Sequence, residues 1–304
     1  MSDAPALAET TPFSCTELCL TIGDVTTRVV SRDPGLAITA PDAVARFRSA
    51  GASVDIVVGA RWSEQIPLVG GPVRFDSGGL WQLRDDGTRL SWIFTSPKFG
   101  SDPYKVAIFN HAFTAGEVHI NSSCFDPAAP IYPLEYPLDE LIVTNWLAHG
   151  RGAEIHACGV IDANGEGYLF AGHSGAGKTT IASLWCQQPG VTVLSDDRII
   201  VRRVGDEIWM YGTPWHGDEA LAASARARVT RGFFLNHGTS NAVEAMSASR
   251  ATASLMVRCF PPFYSGDRLD FTLSILEQVA TLVPFAELHV VPTVAAIGFI
   301  REMS

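Results

Sequence analysis

Residues 172–180 read GHSGAGKTT, a match to GxxxxGK[ST], the Walker A loop that cradles phosphate groups. Gly172, Gly175 and Gly177 allow a tight path that turns successive backbone N–H groups inward as an anion nest. Lys178 can reach the β- and γ-phosphates, and the Thr179 hydroxyl is placed to ligate Mg²⁺. His173, Ser174, Ala176 and Thr180 complete the nucleotide-binding stretch. Working outward, residues 167–171 (GYLFA) form a short apolar strand entering the loop. Residues 179–185 (TTIASLW) leave it as a helix, so bound phosphates would sit on a helix N-terminus.

Residues 191–194 (VTVL) are a β-branched strand that ends in Ser195-Asp196-Asp197. A buried strand delivering carboxylates beside such a loop is where a metal-holding acid belongs. One of the pair can hold metal while the other takes the proton of an attacking hydroxyl. After the acids no helix follows. Residues 198–204 (RIIVRRV) read as a strand, Gly205-Asp206-Glu207 as a turn, and residues 208–211 (IWMY) as the returning strand of a hairpin.

Three segments together, EIHACGV at 154–160, GHSGAGKTT, and VLSDD at 193–197, resemble HPr kinase/phosphorylase and its relative, ATP-dependent phosphoenolpyruvate carboxykinase. The resemblance extends over residues 150–300 and is concentrated in 154–197. It implies a mixed-sheet kinase domain using ATP and Mg²⁺. It also implies His156 near the phosphates, Asp196 near the metal and Asp197 as the catalytic base, with Lys178 on the phosphates. By residue type alone, a lone His such as His156 on an apolar strand is more often a satisfied core residue. Thr180 stands where HPr kinases carry an acid, and no Arg-Gly-Leu-Gly-Ile-like signature follows. These departures count against HPr as the substrate and against reverse phosphorolysis.

Residues 211–218 (YGTPWHGD) follow the hairpin, where a loop could lie over the phosphates; Thr213 and His216 are candidate substrate contacts and Trp215 a candidate wall. A rigid Gly-Pro turn explains the same residues. Arg226, Arg228 and Arg231 precede the apolar stretch 232–235. Phosphoryl transfer gains from a cation against developing charge, and Arg228 is the candidate.

The chain has 304 residues, 47% of them hydrophobic, and a formal net charge of −10. No basic block marks a nucleic-acid surface, and no run approaches the ~20 apolar residues of a membrane helix. Residues 1–13 lack the pattern of a secretory signal, so a cytoplasmic protein is expected. The six cysteines are scattered; Cys15 and Cys19 lack a second cluster to complete a zinc set, and Cys158 and Cys186 read as core.

The fold class expected is α+β / α/β: a β-rich domain over 1–135, then the loop-bearing kinase domain over 136–304. Strands are expected around 18–22, 26–30, 54–58, 80–83, 90–94 and 106–109, with a turn at Asp85-Asp86-Gly87 and one short helix over 41–49. A proline-rich linker spans 121–137. Residues 138–149 form a helix whose Leu138, Leu141, Ile142 and Trp146 make one apolar face against the kinase core. Further helices are expected at 248–258, 273–282 and 295–303.

The sequence thus points to an ATP/Mg²⁺-dependent kinase acting on a hydroxyl of a peptide, small protein or small molecule, with a homo-oligomer as the family's habit. A nucleotide-binding sensor or scaffold without transfer is the alternative. A carboxykinase-like enzyme would need more basic residues around its substrate.

Overall fold

In a computed structural model, residues 15–173, 175–217 and 219–303 are described. Ser174, Asp218 and the chain start read for targeting signals lie outside them. The molecule is a mixed α+β structure built on two mixed sheets.

The first sheet has eight strands: β1 (Glu17–Ile22), β2 (Val25–Ser31), β3 (Ile56–Ser63), β4 (Val73–Asp76), β5 (Trp81–Asp85), β6 (Arg89–Phe94), β7 (Lys105–Asn110) and β8 (Ala115–Asn121). Their spatial order is β1-β2-β3-β8-β7-β6-β5-β4, with β3 parallel to both neighbours. Alternation sets the faces. In ELCLTI, Leu18, Leu20 and Ile22 turn inward and are buried while Glu17 is exposed. Helix α1 (Asp42–Ala45) is a single turn.

Helix α2 (Leu138–Leu147) is not the one-faced helix its spacing suggested. Leu138, Ile142, Trp146, Asp139, Glu140 and Asn145 are all buried, whereas Leu141 is only partly so. The reason is its place: it shares a core with the first sheet and also with Ile200 and Tyr211 of the second and Trp215 of the loop after Tyr211. The proline-rich stretch before it packs too, with Tyr132 and Leu134 in that core.

The second sheet carries β9 (Ala153–Ile161), β10 (Gly167–Ala171), β11 (Thr192–Ser195), β12 (Arg198–Val204), β13 (Glu207–Tyr211), β14 (Arg226–His237), β15 (Ala242–Ala245) and β16 (Phe285–Val290). The first half of β9 pairs with β12 and its second half with β10 and β11. Likewise β14 pairs first with β13, then with β10 and β16. Strands β10-β9-β12-β13-β14 therefore close a ring, since β14 returns to lie parallel to β10. Helices α3 (Lys178–Cys186) and α6 (Ala295–Arg301) cover one side, where Trp185 packs on Tyr168 at 5.5 Å. Helices α4 (Ala248–Met256) and α5 (Gly266–Leu282) cover the other.

Candidate active site

Strand β10 is central and fully buried, and it ends at Ala171 where the glycine-rich loop begins. The loop turns into α3 at Gly177, whose φ of +99° is one that L side chains rarely adopt. The buried Lys178 folds back into the loop and donates to the carbonyls of Gly172 at 3.0 Å and His173 at 3.3 Å. Ala176 N–H donates to the His173 carbonyl at 3.1 Å, and the His237 ring lies 2.8 Å from the Gly175 carbonyl. Burial lowers the Lys178 pKa, helped by the charges of Arg258 and Arg198 and opposed by Asp197.

The neighbouring strands bring the acids. Register sets Arg198 of β12 opposite His156 of β9, and Ala157 N–H donates to the Asp197 carbonyl at 3.0 Å. Ser195 shapes the turn between β11 and β12 by accepting from the N–H groups of Asp197 at 3.3 Å and Arg198 at 3.2 Å. As a result Gly175, Gly177, Lys178, Thr179 and Thr180 share one cavity of about 360 Å³ with His156 and Asp197. Gly217, from the stretch expected to lie over the phosphates, and His237, not expected from the sequence, complete its wall.

The two aspartates part company here. Asp196 is buried, and its carboxylate accepts from the N–H groups of Gly217 at 2.9 Å and Glu219 at 3.2 Å. It holds Gly217 and Glu219 and is not in the wall of the cavity that Asp197 lines, so the structure does not bring the two carboxylates to the same cavity. Asp197 faces the cavity. Burial would raise its pKa, but the His156 hydrogen bond and the charges of Arg198 and Lys178 outweigh that and hold the carboxyl below its usual range.

Arg198, passed over in the sequence although it directly follows the acid pair, ties this region together. Its guanidinium pairs with Asp197, with Glu140 at 3.0 Å and with Glu154 at 3.5 Å, and lies 4.1 Å over the Phe260 ring. Glu154 is buried, and burial together with the charge of Glu140 raises its pKa well above normal. The alternation of Glu154, His156 and Cys158 along β9 was the available signal, since it sets a carboxylate on the same face as His156.

The remaining candidates are dispersed. Thr213 is buried and donates to the Arg198 carbonyl at 2.8 Å, a structural bond beneath the site. His216 and Trp215 line a second cavity of about 500 Å³ that also reaches Asp197. Arg228 lies near the start of β14, paired with Glu207 at 3.3 Å, whereas the loop lies at the far end of the strands that β14 flanks. It is not brought to the phosphates. Among the described residues all six cysteines are free; Cys158 is buried as expected, but Cys186 is exposed at the end of α3. No described helix is long and apolar enough to cross a membrane.

No family model matches the chain, and no curated protein does. Among solved structures it is similar to the HPr(Ser) kinase/phosphatase from Coxiella burnetii, with 9% identity and a TM-score of 0.29 over 50% of this chain and 99% of that one. That is a distant structural relationship, and the chemistry has to be read from the residues themselves.

Proposed function

We propose that this protein is an ATP- and Mg²⁺-dependent phosphotransferase that moves the γ-phosphoryl group to a hydroxyl. The observation that carries the reading is the single cavity that gathers the glycine-rich loop, Lys178 and Thr179 with His156 and Asp197. The residues fit a nucleotide. A buried lysine at a helix N-terminus favours a phosphate tail. A cation fits as well, since Thr179 and Asp197 offer hard oxygen donors in the same wall. Bound there, Mg²⁺ would neutralise charge on the phosphate oxygens.

The chain's own residues then take these roles. Lys178 leaves the Gly172 and His173 carbonyls and holds the phosphates. Asp197, kept ionised, is a weak base and a good cation ligand. His156, oriented by Asp197, accepts the proton of the acceptor hydroxyl, which moves the base from Asp197 to His156 and the cation from Asp196 to Asp197. Asp196 holds the 217–219 loop against the cavity.

The test is calorimetric binding of Mg-ATP to the full chain alongside transfer of the γ-phosphoryl to hydroxyl compounds and serine peptides. Lys178→Ala should lose both. Unaltered binding by that variant would overturn the reading, and binding without transfer to any acceptor would favour a nucleotide sensor.

A further inference from the structure

A cavity of about 510 Å³ lies between the first sheet and the 260–264 loop, away from the phosphate loop. Five large apolar residues that are exposed to solvent, Phe75, Leu80, Tyr136, Phe260 and Phe263, all belong to its wall. Apolar surface left open to water in one contiguous patch marks a binding site more often than a scatter of single residues does. Deeper in, the wall is formed by Trp81, Trp92 and Phe94, and Phe75 stacks on Trp81 at 5.0 Å.

The polar groups at its base are already matched. Arg198 is paired with Glu140 at 3.0 Å, and Asn145 Oδ1 accepts from Arg268 at 3.2 Å and from the Tyr264 hydroxyl. Thr144 donates to the Glu140 carbonyl at 2.7 Å. Arg198 and Glu140, the charged residues of the wall, are already paired with each other, while an aromatic ring would meet aromatic faces on several sides. That pairing favours a neutral ligand. The volume selects one of drug size, within the roughly 300–1,000 Å³ of small-molecule pockets.

We propose that this cavity is a binding site for a neutral aromatic small molecule, separate from the phosphate cavity. It stands independently of phosphoryl transfer, because none of its walls is the glycine-rich loop. Arg198 and Phe260 of its wall also line a further cavity with His156, Gly172 and His173, and neither lines the phosphate cavity.

The test uses N-phenyl-1-naphthylamine, an uncharged probe that brightens in apolar surroundings, titrated into the full chain. Saturable binding at one site per chain is expected. Leu80 and Phe263 are 64% and 66% exposed, so Leu80→Asp and Phe263→Asp should leave the melting temperature unchanged. Each should weaken the probe at least about tenfold. Leu68→Asp, at a residue exposed elsewhere, should bind as the parent does. Non-saturable binding, or equal binding by all three variants, would overturn the site. So would a dimer in sedimentation that Phe263→Asp dissociates, since the patch would then be covered by a second copy. Loss of ATP binding by Lys178→Ala with the probe still bound would leave this site standing; the converse result would leave the phosphate site standing.

Discussion

Nδ1 of His156 lies 3.1 Å from a carboxylate oxygen of Asp197, reached across the pairing of β9 with β12. The same nitrogen lies 2.9 Å from the Arg198 guanidinium. Arginine can only donate, so Nδ1 must accept there, whereas it must donate to Asp197. One nitrogen cannot do both, and the position of the proton on the ring decides which partner it holds. His156→Gln keeps a polar side chain but removes proton handling. Single-turnover transfer should fall by about 10²–10⁴-fold with nucleotide affinity retained. An equal loss of affinity would assign His156 to phosphate binding instead.

The aspartates should behave as two different residues. Asp197→Asn should raise the Mg²⁺ concentration needed for half-maximal nucleotide binding. Asp196→Asn should leave that requirement alone and instead loosen the 217–219 loop, seen as faster hydrogen exchange at the Gly217 amide. Matching Mg²⁺ dependences for both variants would show that the pair acts jointly at the metal.

Asp139 gives a pH signature. It is buried beside the second cavity that reaches Asp197, and its carboxyl is pushed up from 3.8 to about 7. Burial is the main cause, partly offset by hydrogen bonds from the Glu140 N–H at 2.8 Å and the Tyr132 hydroxyl at 3.2 Å. Between those pH values the folded chain keeps a proton that the unfolded chain has released. This contribution to stability is therefore full below pH 3.8 and declines as pH rises to about 7. In urea unfolding across that range, Asp139→Asn should lack the decline seen in the parent.

Arg228→Ala should leave transfer unchanged and alter stability by no more than about 0.5 kcal/mol, because its ion pair with Glu207 is exposed. A large drop in turnover would place it at the reaction after all.

Trp185→Ala removes a fully buried indole from between α3 and β10. A loss of about 3–5 kcal/mol is expected from chemical denaturation, typical of large-to-small core changes. Nucleotide binding should fail with it if the helix that carries Lys178 and Thr179 shifts.

The sequence made the loop, the strand before it, the helix after it, and the 198–211 hairpin readable because each combined a local signal with a local partner. The Asp85-Asp86-Gly87 turn was equally plain. Strands β4 and β15 escaped notice because all their residues are exposed and give no alternation. Strand β16 was missed although Glu287 and His289 alternate with the buried Ala286, Leu288 and Val290, because so short an alternation directly follows the long helix α5 and carries no turn signal of its own. Only residues 232–235 of β14 were legible, since Arg226 and Arg228 alternate outward at its start and look like loop. In the site, residue types identified the acids but not their directions. Asp196 and Asp197 differ by one position on a strand end, and the Gly217 and Glu219 amides that capture the first come from a distant loop. Arg198 was hidden for the same reason, its partners Glu140 and Glu154 lying on α2 and β9.

The ring of strands through β10 has a cost in time. Strand β10 gains its second neighbour only when β14, far along the chain, comes back to lie beside it, and contacts between distant segments form slowly. A fragment ending before residue 226 would carry every letter of the phosphate motif while leaving its strand with a bare edge. Such a fragment should bind no nucleotide until the missing strand is supplied in trans.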